Sequence, residues 1–162
     1  MSCKKPIFVL LRLSMGWLFL WGFLDKTFGL NFATTPEDAW LAGGSPTYGF
    51  LSYATKGPFA GMYQSIAGNP IVDWLFMLGL LGVGVAFLLG IMMKFSGYVG
   101  AFMMLLMYTA GFLPPEHNPF MDEHLVYPLI FLVIPMTNCG YSFSLSKWWT
   151  ATKLVKKYPL LK

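Results

Sequence analysis

Between Glu116 and His124 the chain carries both of its histidines, His117 and His124, and three of its seven acids, Glu116, Asp122 and Glu123. These side chains can ligate a metal or move a proton. No HxxxH or ExxH pair on one helix supports a metal site, so none is assigned. His124 next to Glu123 is better suited to proton chemistry, because imidazole titrates near neutrality. The pair could hydrogen-bond a quinone carbonyl and relay its proton, which makes Glu123 and His124 the candidate catalytic residues. The competing reading is a hydrated surface with helix caps. There is no nucleophile with an adjacent base, no phosphate-cradling glycine loop and no dinucleotide fingerprint.

Capping accounts for part of this stretch. Asn118-Pro119-Phe120-Met121-Asp122 repeats the pattern of Asn69-Pro70-Ile71-Val72-Asp73. In each, Asn caps free amides, Pro fits the first helical position and Asp faces the positive end of the helix dipole. Two helix starts are therefore expected here. Glu123, His124 and a kink at Pro128 are left without a capping role. Pro128 and Pro135 remove the backbone partners of the His124 and Phe131 carbonyls.

The elements that must hold these residues are apolar. The chain has 162 residues, 56% hydrophobic and 11% charged, against roughly 25% charged in soluble domains. Runs at about Pro6–Leu24, Pro70–Met93, Ser96–Leu113 and Pro119–Asn138 approach the roughly 20 residues that cross a bilayer. The expected fold is all-α, one domain, an integral membrane four-helix bundle. The net charge of +4 does not point to nucleic acid, because the basic residues are sorted along the chain. Lys4, Lys5, Lys94, Lys147, Lys153, Lys156, Lys157 and Lys162 fall on one side of such a bundle, with only Lys26 and Lys56 on the other. The positive-inside rule then makes both termini cytoplasmic in a multi-pass cell-membrane protein. All seven acids fall outside. Cys3 and Cys139 fall on the reducing side, so no disulfide is expected. An uncleaved first helix fits better than a signal peptide, since Arg12, Trp17 and Trp21 interrupt the run and no cleavage site follows.

The long external segment, Phe28–Asn69, mixes aromatics with helix starts and breaks. Thr35-Pro36-Glu37-Asp38 offers a cap, and Gly43-Gly44-Ser45-Pro46 and Gly57-Pro58 break the chain. Short interfacial helices forming a lid are expected. Gly82, Ala86 and Gly90 form a small-residue stripe that permits close helix approach, with Gly97 and Ala101 a shorter version. The methionines read as packing residues. Arg12 lies within the first helix, snorkelling to phosphates or serving a buried site. Asn138-Cys139-Gly140 is a helix stop, and residues 144–162 form a basic amphipathic tail along the cytoplasmic interface.

Several segments resemble the DoxX family, in its DoxD-like branch. They are Gly16-Trp17, Phe19-Leu20-Trp21, Phe23 to Leu30, Phe32 to Pro36, Gly43 to Thr47, Asp73 to Met77 and Asn118 to His124. The resemblance implies four spans and a place as the membrane subunit of a thiosulfate:quinone oxidoreductase, a thiosulfate dehydrogenase that reduces quinone. It carries no established catalytic set. The candidate quinone or lipid contacts are Arg12, Trp21, Asp25, Lys26 and His124. No cofactor ligand set is visible in the chain beyond a quinone. Its partners would be the bilayer and a catalytic subunit or further copies of itself. An outer face with Lys26 and Lys56 against all seven acids is unfavourable for a dianion. The rival expectation is a non-enzymatic membrane scaffold or accessory subunit that stabilises a larger complex.

Overall fold

The computed structural model describes residues 6–137 and 141–161 (backbone alone at Leu160). Cys3, Lys4, Lys5, the expected stop at Asn138-Cys139-Gly140 and Lys162 lie outside the described residues. Among those described the fold is all-helical. The long helices are α1 (Pro6–Phe28), α3 (Pro70–Leu89), α4 (Met93–Gly111) and α5 (Glu123–Met136). Between α1 and α3 lie a 3-10 turn (Trp40–Ala42), a π-helical turn (Phe50–Ala54) and α2 (Ala60–Gln64). The tail forms α6 (Ser146–Ala151), α7 (Lys153–Lys157) and a 3-10 turn (Pro159–Leu161).

Two helices, α1 and α3, are long and apolar enough to cross a membrane, with mean hydropathies of 1.9 and 2.2. The other two expected spans fall short for different reasons. Helix α4 has 19 residues, but Lys94, Ser96 and its glycines dilute its apolarity. Helix α5 has 14 residues because 119–122 are not helical. At 1.5 Å per residue it reaches only about 21 Å.

Helix α1 packs on α3 and α4 on α5, and the pairs join through α3 against α4 and α1 against α5. Their meeting point is Phe131 of α5, which is fully buried. Its ring lies edge-on to Phe19 of α1 and to Phe87 of α3, each at 4.9 Å between centroids and 75°. The fourth helix makes room by omission. A Cβ on Gly100 would come within 2.9 Å of the Phe131 ring, and one on Gly97 within 2.6 Å of the Phe131 carbonyl. That carbonyl is the one Pro135 leaves without a helical partner, so α4 approaches α5 where its backbone is most polar.

The α1–α3 crossing corrects the expected stripe. Gly82 is exposed with nothing near it, whereas Gly84 meets the Leu20 backbone and Gly16 meets the Leu88 backbone. Gly90 serves instead as the left-handed C-cap of α3, at φ 67°. Any Cβ there would overlap the Arg12 guanidinium.

Charge is sorted by end. Lys94, Lys147, Lys153, Lys156 and Lys157 gather with Arg12 at the end where α1 begins and α3 finishes; Asp25, Asp73, Asp122, Glu123, Lys26 and Lys56 lie at the other. The sides of the helices are apolar. Trp17 and Leu18 on α1, Trp74, Leu75 and Leu78 on α3, Phe102 on α4 and Leu129 on α5 are exposed, while Arg12, Asp25, Asp73 and His124 are buried. Soluble domains sort the opposite way.

Candidate functional site

The approach to α5 differs from the helix start expected at Asn118. The Asn118 side chain accepts from the amides of Phe120 and Met121, closing a turn rather than opening a helix. Tyr108 of α4 donates to the Phe120 carbonyl at 2.7 Å and holds that turn in place. Asp122 is itself the N-cap, accepting from the His124 amide at 2.8 Å. Pro119 is therefore outside the helix. At Asn69 the expectation holds, with Oδ1 accepting from the Ile71 amide and Pro70 at the first helical position.

The same Asp122 oxygen also lies 2.6 Å from Nδ1 of His124. A carboxylate there favours the tautomer with the proton on Nδ1 and leaves Nε2 as an acceptor, the arrangement seen when a histidine is held for chemistry. The imidazole is buried and stacked on Phe112, 3.9 Å between centroids at 17°. Phe112 in turn stacks with Phe50 of the external segment, 6.4 Å apart at 22°. His124 thus ends an aromatic column that crosses the tops of α4 and α5.

Beside this column is a cavity of about 380 Å³ walled by Phe112, Met121, Asp122, Glu123, Glu116 and Lys56. Burial pushes the Asp122 carboxyl upward, but the hydrogen bonds from the His124 amide and ring outweigh it, so the group sits below its ordinary range. Glu116 is also held low, by the hydrogen bond and charge of Lys56 at 3.0 Å. Glu123 is exposed in the first turn of α5. One ligand atom from each of Asp122, Glu123 and His124 falls within 4.8 Å of the others. The Asp122 oxygen nearest the ring already receives the His124 amide and faces Nδ1, so this cluster is occupied with holding the histidine.

The candidate contacts on α1 do not join this site as a group. Arg12 lies 13 residues before Asp25, about 20 Å along the helix, and donates Nη2 to the Phe143 carbonyl at 2.9 Å. Its Nε and Nη1 have no partner among the described residues. Trp21 packs against Trp17 and edge-on to Phe32. Asp25 is spent on the external segment, accepting from the amides of Phe32 (3.2 Å) and Ala33 (2.9 Å). Lys26 faces a separate apolar cavity of about 470 Å³ between α3, α4 and that segment.

Asp73 was expected only to complement a helix dipole. It accepts instead from the Ser45 hydroxyl and from both the amide and hydroxyl of Thr47, the latter at 2.6 Å. The external segment is thereby fastened near its start by Asp25, at its middle by Asp73, and again further on by the Lys56 amide to the Ala110 carbonyl. It is a lid of short helices, as its aromatics suggested. Thr35 and Asp38 bond to each other, yet form a turn rather than an α-helix.

The Phe50–Phe112–His124 column is absent from the sequence reading, since its members are far apart in the chain. No protein-family model, curated protein or solved structure matches this chain.

Proposed function

We propose that the protein is a four-span, DoxX-type (DoxD-like) membrane subunit that presents a quinone site to a partner oxidising a sulfur compound such as thiosulfate. The exposed apolar sides and buried polar residues of all four long helices support the bilayer location. The basic residues at one end support a cytoplasmic placement of both termini. The short length of α5 is compatible with spanning, because a bilayer thins locally around a short span.

The observation that carries the quinone reading is the Asp122–His124 pair beneath Phe112. A quinone ring can lie against the aromatic column with one carbonyl at His124. Reduction to quinol requires a pair of electrons and a pair of protons. The partner's oxidation of the sulfur compound supplies the electrons. With Nδ1–H held by Asp122, Nε2 of His124 first takes a proton from the outer water by way of exposed Glu123 and then donates it to the carbonyl oxygen, once for each proton of the quinol.

Binding of decylubiquinone to the purified protein, read by tryptophan quenching, is the test. We expect His124→Ala to weaken it at least about tenfold, the scale of losing one good hydrogen bond in a dry site. Unchanged binding would exclude His124 from the site. Reduction of decylubiquinone by thiosulfate with this chain alone would remove the need for a partner. A scaffold reading is favoured by Phe32, Leu41, Tyr53 and Phe120, which are exposed on the external end where a second subunit could cover them.

A further inference from the structure

We propose that the cavity beside Lys26 holds one chain of an anionic membrane lipid, with the headgroup bound by the Lys26 ammonium. This rests on the bilayer location and is independent of the quinone reading.

The cavity's volume of about 470 Å³ lies within the range of sites that enclose small ligands, about 300–1,000 Å³. Its wall is made by Val72 and Phe76 of α3, Val99 and Met107 of α4, and Phe50 and Tyr63 of the lid. The exposed Leu75, Phe102 and Leu106 carry the same apolar lining out between α3 and α4, so a chain can enter sideways from the bilayer.

Among the described residues, Lys26 is the only charged one in the lining. The polar groups around it are hydrogen-bonded elsewhere. Asp25, its neighbour, accepts from the Phe32 and Ala33 amides. The Thr47 hydroxyl donates to Asp73, and the Tyr63 hydroxyl is paired with Thr109 at 2.7 Å. Among the described residues no carboxylate lies within ion-pair distance of the Lys26 ammonium. With a neutral occupant this half-buried ammonium feels the charge of neighbouring Asp25 but has no direct ion pair among the described residues, whereas a phosphate headgroup pairs it through charge-assisted hydrogen bonds. Lys26 sits in the last turns of α1. There the ammonium stands at headgroup level while the cavity runs along the acyl layer.

The test reconstitutes the full chain in nanodiscs of equal parts phosphatidylcholine and phosphatidylglycerol. Lipid that stays bound after mild detergent extraction is then counted by native mass spectrometry. Wild-type protein is expected to retain phosphatidylglycerol over phosphatidylcholine, and Lys26→Arg to keep that preference. Lys26→Gln should reduce it about tenfold, the scale of one charge-assisted contact. Val72→Phe, which fills the cavity, should lose the retained lipid while keeping the wild-type unfolding midpoint. The proposal is overturned by an undiminished preference in Lys26→Gln, by lipid retained in Val72→Phe, or by retained phosphatidylcholine alone. Decylubiquinone displacing phosphatidylglycerol equally from wild type and Lys26→Gln would also overturn it, and would move the quinone to this cavity. Protein that remains soluble without detergent or lipid would sink the bilayer location itself, before any variant is compared.

Discussion

Replacing Gly97 by alanine perturbs the bundle where α4 lies against the backbone of α5. The new Cβ would stand 2.6 Å from the Phe131 carbonyl oxygen and 2.9 Å from Cγ of Pro135. Ordinary contacts lie at about 3.5–4.0 Å, so α4 and α5 must part by about 1 Å along that face. Neither obstacle can rotate away, because one is backbone and the other a ring. Parting the helices also loosens Gly100 from the Phe131 ring and disturbs its contacts with Phe19 and Phe87. Overpacking of this kind costs about 1–3 kcal/mol, offset by the roughly 0.5–1 kcal/mol that alanine gains over glycine in a helix. The net runs from about zero to a loss of about 2.5 kcal/mol, or up to roughly 10 °C in unfolding midpoint for a chain of this size. Gly82→Ala is the internal control. Its Cβ meets nothing within 4 Å, so only the helical gain remains and the midpoint should rise. Thermal unfolding in detergent, followed by tryptophan fluorescence, reads both. If Gly97→Ala matched Gly82→Ala, α4 would not pack on α5 through this glycine and the account of the Phe131 junction would be wrong.

The folded state holds Asp122 below its ordinary range, so the unfolded chain takes up that proton more readily. The carboxylate therefore contributes stability above about pH 4, its unfolded value, and loses it as pH falls through the lower folded value. Unfolding midpoints measured down the acid limb should show this loss in wild type and a flatter limb in Asp122→Asn; identical limbs would contradict the assignment. Arg12→Met keeps the length of the stem while removing two donors that lack partners among the described residues. With unsatisfied buried donors costing about 1–3 kcal/mol each and one bond to Phe143 lost, stability should stay level or rise. A clear fall in midpoint would mean that a counter-charge sits beside the guanidinium.

The helical class, the aromatic lid and the sorting of charge were legible because each depends on composition along a continuous segment. Asn69-Pro70 was legible too, since an N-cap acts on amides only two residues away. The same motif at Asn118 misled. There the Asn closes a turn that Tyr108 secures from another helix, and Asp122 takes over the cap. The choice of Gly84 over Gly82 depends on which face of α3 meets α1, and two glycines on one apolar helix look alike in sequence. The aromatic column and the Lys26 cavity are assembled from α1, α3, α4, α5 and the lid, so no local spacing announces them. Glu123 and His124 were singled out because capping leaves their side chains unexplained, but the stacking of His124 on Phe112 was not foreseeable.

Asp25 and Asp73 turn the external segment into a cross-brace with independent anchors. Asp25 grips residues 32 and 33, and Asp73 grips residues 45 and 47. Between those grips Gly43 is exposed with nothing packed against it. A single cut there would leave each fragment pinned to its own helix by a carboxylate, and α1 and α3 would still be held at Gly16 and Gly84. The chain could be split into two pieces that stay assembled, so the continuity of the lid is dispensable while its two anchors are not.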